Sequence, residues 1–183
     1  MTAPLVLMND FRRRPEPYLR ALEEAAARVI RSGWFVLGPE VAAFEKDWAA
    51  FCGTRQATGL ANGLDAIEVG LRASGIGPGD EVITTPVTAF ATILGIMRAG
   101  AMPVLADIDP GSGQLDLASA ERCLSPRTRA VLLVHLYGQL RRIDDWREFC
   151  ARHKLLFLED AAQAHGAEWQ GQRSGALGRW AAY

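Results

Sequence analysis

Asp160 and Gln163 are the side chains of this sequence best placed to act on a bound group. They close the stretch Leu155-Leu156-Phe157-Leu158-Glu159-Asp160-Ala161-Ala162-Gln163, whose apolar run reads as a buried strand. In open parallel sheets, ligands bind beyond the carboxyl ends of the strands. A carboxylate delivered there can pair with a charged group, and a carboxamide nearby can hydrogen-bond the same ligand. Ala161 and Ala162 are small enough to let another group come close, and Gln163 can point to the same side. The other strand ends carry Thr84-Thr85, Asp107, His135 with Tyr137, and Glu159. For Asp107 and His135 the plainer reading is taken: a strand ends in polar residues where it meets solvent.

A second feature suits an anion. Ala61-Asn62-Gly63-Leu64-Asp65-Ala66 reads as a turn into a helix, with Asn62 as N-cap and Gly63 in the first turn. Free backbone N–H groups and the helix dipole there favour a phosphate. Every strand-to-helix unit makes such a turn, so this signal is not specific by itself. Gly75-Ile76-Gly77-Pro78-Gly79-Asp80 is glycine-rich but precedes a strand instead of following one, so it is a turn and not a dinucleotide fingerprint.

The elements that must position these residues follow from periodicity. Leu19, Leu22, Ala26 and Val29 share one face of a helix over 17–31, which Ser32-Gly33 ends. Gly38-Pro39 opens a second helix with Val41, Phe44, Trp48 and Phe51 at helical spacing, closed by Gly53. Strands at 56–59, 81–84, 103–106, 130–136 and 155–159 then alternate with helices at 63–73, 89–99, 117–123 and 145–153. Continuous apolar strands such as Val131-Leu132-Leu133-Val134 are expected where helices cover both sheet faces. The fold class is α/β, with a mostly parallel mixed sheet and helices on both faces.

Composition narrows the function classes. The 183 residues can bury a real core, and the net charge of −1 offers no positive field for nucleic acid. Arg12-Arg13-Arg14 is short and isolated, and reads as a solvated turn. Cys52, Cys123 and Cys150 are odd in number and sit in apolar stretches, so they read as reduced core thiols of a cytoplasmic protein; no metal site is expected. Met1 to Met8 is apolar but short and lacks a basic leader, which argues against a signal peptide. No apolar stretch has the length of a membrane span.

Five motifs, taken in order, carry a resemblance. They are Ser32-Gly33-Trp34-Phe35-Val36-Leu37-Gly38-Pro39-Glu40, Ala61 to Ala66, Gly75 to Ile83, His135-Leu136-Tyr137-Gly138-Gln139, and Glu159-Asp160-Ala161-Ala162-Gln163-Ala164-His165-Gly166. From about Val6 to Tyr183 the chain resembles the amino-terminal half of the DegT/DnrJ/StrS-type nucleotide-sugar aminotransferases. The resemblance implies fold-type I architecture, as in the aspartate aminotransferase superfamily: a large cofactor-binding domain, a small carboxyl-terminal domain, and a homodimer sharing its active sites. It implies pyridoxal 5'-phosphate as cofactor, and transfer of an amino group, commonly from glutamate, to a nucleotide-linked keto-sugar.

The resemblance also implies roles. Asp160 pairs with the pyridine nitrogen, Gln163 hydrogen-bonds the phenolic oxygen, Phe90 stacks on the ring, and Gly63 and Leu64 bind the phosphate through backbone amides. Phe90 has a second reading as an ordinary helix core residue. Residues 34–37 resemble a loop near substrate and subunit interface, or else form an apolar connector, and His165 is read as structural. Such chemistry needs a lysine to hold the aldehyde as a Schiff base. Only Lys46 and Lys154 are present, both in surface contexts. The expectation is therefore a cofactor-binding domain, 1–183, that stops before its lysine and small domain, with no catalytic residue of its own. Such a chain is expected to be poorly soluble and inactive alone. A sugar dehydratase, in which histidine replaces the lysine, and a non-catalytic remnant or interaction module are the alternatives.

Overall fold

The computed structural model describes Leu7 and residues 10–183. Apart from Leu7, the apolar stretch Met1 to Met8 lies outside the described residues. The chain divides into two compact units, one reaching to Phe44 and the other Glu45–Tyr183.

In the first unit, helix α1, Glu16–Ser32, ends where Gly33 takes φ 65°, a left-handed conformation open to a residue without Cβ. None of its residues is buried, and Tyr18, Leu22 and Ile30 are exposed. Residues 34–37 are exposed throughout, tied within themselves by Trp34 Nε1 donating to the Val36 carbonyl at 2.7 Å. Helix α2, Pro39–Cys52, begins in the first unit and continues into the second; it starts on its proline and closes at Gly53, φ 74°.

The second unit is built on β1 Glu81–Thr84, β2 Met102–Leu105, β3 Thr128–Val134 and β4 Leu156–Asp160, followed by the two-residue strands β5 Glu168–Trp169, β6 Gln172–Arg173 and β7 Ala181–Ala182. Five of these form one sheet in the order β2-β1-β3-β4-β7, and every pairing in it is parallel. β5 and β6 make a separate antiparallel hairpin. Between the strands lie α3 Gly63–Ala73, α4 Phe90–Arg98, α5 Leu117–Arg122 and α6 Ile143–His153.

Strand alternation divides the core in two. Val82, Ala130, Leu132 and Leu158 face one way, against Ile67 and Leu71 of α3 and Ile96 of α4. Ile83, Val131, Leu133 and Phe157 face the other way, against Ala120 of α5 and Ile143, Trp146 and Phe149 of α6. Both faces are covered, so the expected run Val131-Leu132-Leu133-Val134 is buried along its whole length. Cys52 and Cys150 are buried, Cys123 is half-buried, and all three are free. Burial pushes the Cys150 thiol up to about 12. Among the described residues no helix is long and apolar enough to cross a membrane.

One expected strand is absent. Residues 56–59 lie in an irregular segment and pair with no strand among the described residues. Their side chains are exposed or half-buried, so neither burial nor a ladder holds them as a strand. β5 and β6 were not foreseen as strands, because two residues are too few to show a period; β7 falls within residues 178–183, which resemble the start of a strand in the family and here pair with the edge of β4.

The close packing of α3 on α4 depends on Gly95. A Cβ there would come within 2.8 Å of Ile67 Cγ2 and 3.2 Å of the Leu64 carbonyl oxygen. We expect Gly95→Ala to lower stability by about 1–3 kcal/mol through overpacking, against the small gain alanine brings to a helix. Urea unfolding of the two proteins measures this, and an equal or higher midpoint for the variant would show that α3 and α4 can part at no cost.

Candidate functional site

A cavity of about 60 Å³ opens at the carboxyl ends of β3 and β4, lined by Gly63, Ile67, Thr88, Ala89, Ala91, Val134, His135, Leu136, Asp160, Ala162 and Gln163. The parallel register sets Val134 of β3 beside Asp160 of β4. His135 N–H then donates to the Asp160 carbonyl at 3.0 Å, and Ala161 N–H to the Ala182 carbonyl at 2.8 Å. The backbone of Asp160 is thus held from both sides while its side chain turns to the face covered by α3 and α4. The residue is 7% exposed. Oδ2 accepts from Thr92 Oγ1 at 2.6 Å, Oδ1 accepts from Ala162 N–H at 3.3 Å, and Thr92 Oγ1 lies 2.7 Å from Thr88 Oγ1.

Gln163 stands across the cavity mouth, exposed, with Oε1 accepting the Tyr137 N–H at 2.9 Å. That bond assigns the amide, because a backbone N–H needs an oxygen opposite it. Gln163 is left with its Nε2 donor to offer a ligand. Tyr137 presents its N–H from a left-handed turn, φ 57°, a conformation a non-glycine residue holds only where its surroundings impose it. Its side chain is 79% exposed.

The helix start at Gly63 shares the same cavity. Asn62 caps α3, its Oδ1 accepting from Asp65 N–H at 2.9 Å. The N–H groups of Gly63 and Leu64 have no hydrogen-bond partner among the described residues. A Cβ on Gly63 would meet the Tyr183 carbonyl oxygen at 3.1 Å, so close backbone approach calls for glycine here. Phe90 begins α4 between the lining residues Ala89 and Ala91, and its ring is 70% exposed. It is therefore not a helix core residue. Of the five expected site residues, Gly63, Asp160 and Gln163 line one cavity, while Leu64 and Phe90 adjoin it.

Of the other strand ends, His135 does not meet solvent as expected: it is buried and lines the cavity, while Asp107 and Glu159 have structural roles. Asp107 is exposed and closes a local turn onto Ile108 N–H at 2.8 Å. Glu159, fully buried, points away from Asp160 to the face that carries Leu177. Its carboxyl accepts the N–H of Gly175, Leu177 and Gly178 at 3.0, 2.9 and 2.7 Å, and His135 Nε2 lies 3.0 Å from it. His165 packs edge-on against Trp48 and tilted against Tyr183, with ring centroids 5.5 and 5.2 Å away. Burial raises the Tyr183 phenol well above the usual tyrosine range. Sequence reasoning missed Thr88, Thr92 and the loop that Glu159 holds. Thr88 precedes the N-cap Ala89 and Thr92 lies in the first turn of α4, so no shared helix face announced the pair in the sequence.

Comparison with known proteins identifies the chain's relatives. A model of the DegT/DnrJ/EryC1/StrS aminotransferase family matches residues 20–183. The chain is 43% identical to dTDP-3-amino-3,4,6-trideoxy-alpha-D-glucose transaminase of Streptomyces venezuelae, over 98% of this chain and 48% of that one. It resembles the solved structure of DesV from S. venezuelae with TM-score 0.83 and 47% identity, covering 87% of this chain and 43% of that one. A Streptococcus pneumoniae protein solved in its PLP-form gives TM-score 0.85 at 25% identity, covering 88% and 45%. The chain thus spans about half the length of the relatives it matches.

Glu159 supplies the sharpest structural test. In Glu159→Gln an amide NH₂ replaces one acceptor oxygen and faces backbone donors, leaving at least one buried N–H unpaired. The expected cost is about 3 kcal/mol, with faster hydrogen exchange at Gly175, Leu177 and Gly178. Unchanged exchange at those amides would mean the loop is held by something else.

Proposed function

The chain belongs to the DegT/DnrJ/EryC1/StrS aminotransferase family, and from that premise we propose that it forms the cofactor bed of a pyridoxal-phosphate-dependent aminotransferase acting on a nucleotide-linked keto-sugar. The observation that carries the proposal is the single cavity joining a buried carboxylate, Asp160, to a carboxamide, Gln163, and to the capped start of α3 at Gly63. The donor set fits the cofactor's three polar regions. The free N–H groups of Gly63 and Leu64 suit its phosphate, Asp160 its ring nitrogen, and Gln163 Nε2 its phenolic oxygen. Phe90, exposed at the head of α4, can cover a ring face. The PLP-form of the S. pneumoniae neighbour and the transaminase name of the S. venezuelae relative support this reading.

Pyridoxal phosphate, when bound, supplies a ring that draws electrons from the substrate carbon. The part of Asp160 is to keep a proton on the ring nitrogen, which a neutral side chain does poorly. The α3 amides bind and orient, and Ile67 and Val134 keep the cavity floor apolar. Neither lysine is assigned to the Schiff base. Lys154 caps α6 at the amino-terminal end of β4, the opposite edge of the sheet from Asp160, and Lys46 is exposed on α2. An amino donor such as glutamate, a homodimer when the family's small domain is included, and a cytoplasmic setting complete the proposal.

Pyridoxamine 5'-phosphate tests the bed without a lysine. Titrated into the purified chain, it should bind reversibly, and Asp160→Asn should weaken binding about tenfold or more, the scale of losing one charged hydrogen bond. Equal affinity for the variant would remove Asp160 from the site. With pyridoxal phosphate, borohydride should not fix the cofactor selectively at Lys46 or Lys154. Peptide mapping that finds most of the label on either one would overturn the lysine reading.

A further inference from the structure

Asp160 is not a lone carboxylate in its cavity. Thr92, fully buried on α4, donates its Oγ1 proton to Oδ2 at 2.6 Å, while Oδ1 accepts from Ala162 N–H. A buried helical threonine can satisfy its hydroxyl on the carbonyl four residues earlier. Thr92 instead reaches from its helix to a carboxylate on β4. The order of donors is then decided by valence. Thr92 has one proton and gives it to an acceptor that has none, so in the 2.7 Å contact with Thr88 the proton comes from Thr88. The chain runs Thr88 to Thr92 to Asp160, with each bond polarising the next.

We propose that Thr92, backed by Thr88, is a positioning residue that fixes the plane of the Asp160 carboxyl and holds down its appetite for a shared proton. The inference rests on the reading of Asp160 as partner of the cofactor's ring nitrogen. Two donors placed on different oxygens stop the carboxyl from rotating, and a carboxylate's four lone-pair sites leave room for the ring N–H. A donated hydrogen bond stabilises the charged form of a carboxylate. With Thr92 in place the shared proton stays on the ring nitrogen. Without it the carboxyl becomes the better base and draws the proton to itself.

The test uses pyridoxamine 5'-phosphate carrying ¹⁵N in its ring, bound to the purified chain and observed by NMR. Thr92→Val should bind about tenfold more weakly, the scale of one lost hydrogen bond to a charged group. The nitrogen signal of its bound ligand should move toward the unprotonated pyridine position. Thr92→Ser, which keeps the hydroxyl, should restore both readings. A wild-type nitrogen signal in Thr92→Val overturns the proposal, even where affinity falls, since lost packing alone lowers affinity without moving the proton. Asp160→Asn separates the two readings. If it leaves the signal unchanged, or if the wild-type chain does not bind, the site assignment itself fails; if it moves the signal while Thr92→Val does not, only the role of Thr92 fails. Should circular dichroism show Thr92→Val unfolded, Thr88→Val takes its place. It removes the donor behind Thr92, so a smaller displacement in the same direction supports the proposal and no displacement overturns it.

Discussion

The parallel pairing of β3 with β4, buried beneath helices on both faces, is the constraint on which the site depends. Parallel strands deliver their carboxyl ends to one edge, so every polar side chain that follows a strand gathers there. The period of two along β4 then separates two adjacent acids. Glu159 turns toward the face of α5 and α6, and Asp160 toward the face of α3 and α4. A one-residue slip in register would exchange them.

The two acids are solvated by the protein in different ways, and that difference gives them different work. Glu159 is saturated: three backbone N–H groups and His135 Nε2 occupy its lone pairs, and it pins residues 175–178 under the sheet edge. A buried charge without such partners would be costly. Asp160 is left with acceptor capacity beside an open cavity, and what holds it comes from one hydroxyl and one amide. An acid with spare capacity is the one that can receive a ligand.

Close backbone approach completes the site. Gly95 lets α4 lie against Ile67, and Gly63 lets the start of α3 meet the carbonyl of Tyr183. These contacts bring two helix starts to one cavity, although the segments leading into them are far apart in sequence. Gln163 is aimed by a strained turn at Tyr137, so the carboxamide of one loop is oriented by the backbone of another.

The sequence by itself determined the alternation of strands and helices, because apolar period and helix caps are local signals. Asn62 before Gly63, Gly33 after α1 and the buried run of β3 were legible in this way. It also marked Asp160, Gln163 and Gly63 as candidates, since an acid after an apolar strand and a capped turn are recognisable without neighbours, and the three line one cavity. The strand expected at 56–59 was not a strand, because a ladder needs a partner and the segment offers no buried face. The hydroxyl chain from Thr88 through Thr92 to Asp160, the three backbone donors around Glu159 and the amide orientation of Gln163 were decided only in three dimensions. Each is a hydrogen bond between segments separated by the fold, with lengths and directions that depend on how helix, loop and strand pack. A one-dimensional pattern states which groups can donate and accept. Packing decides which of them meet.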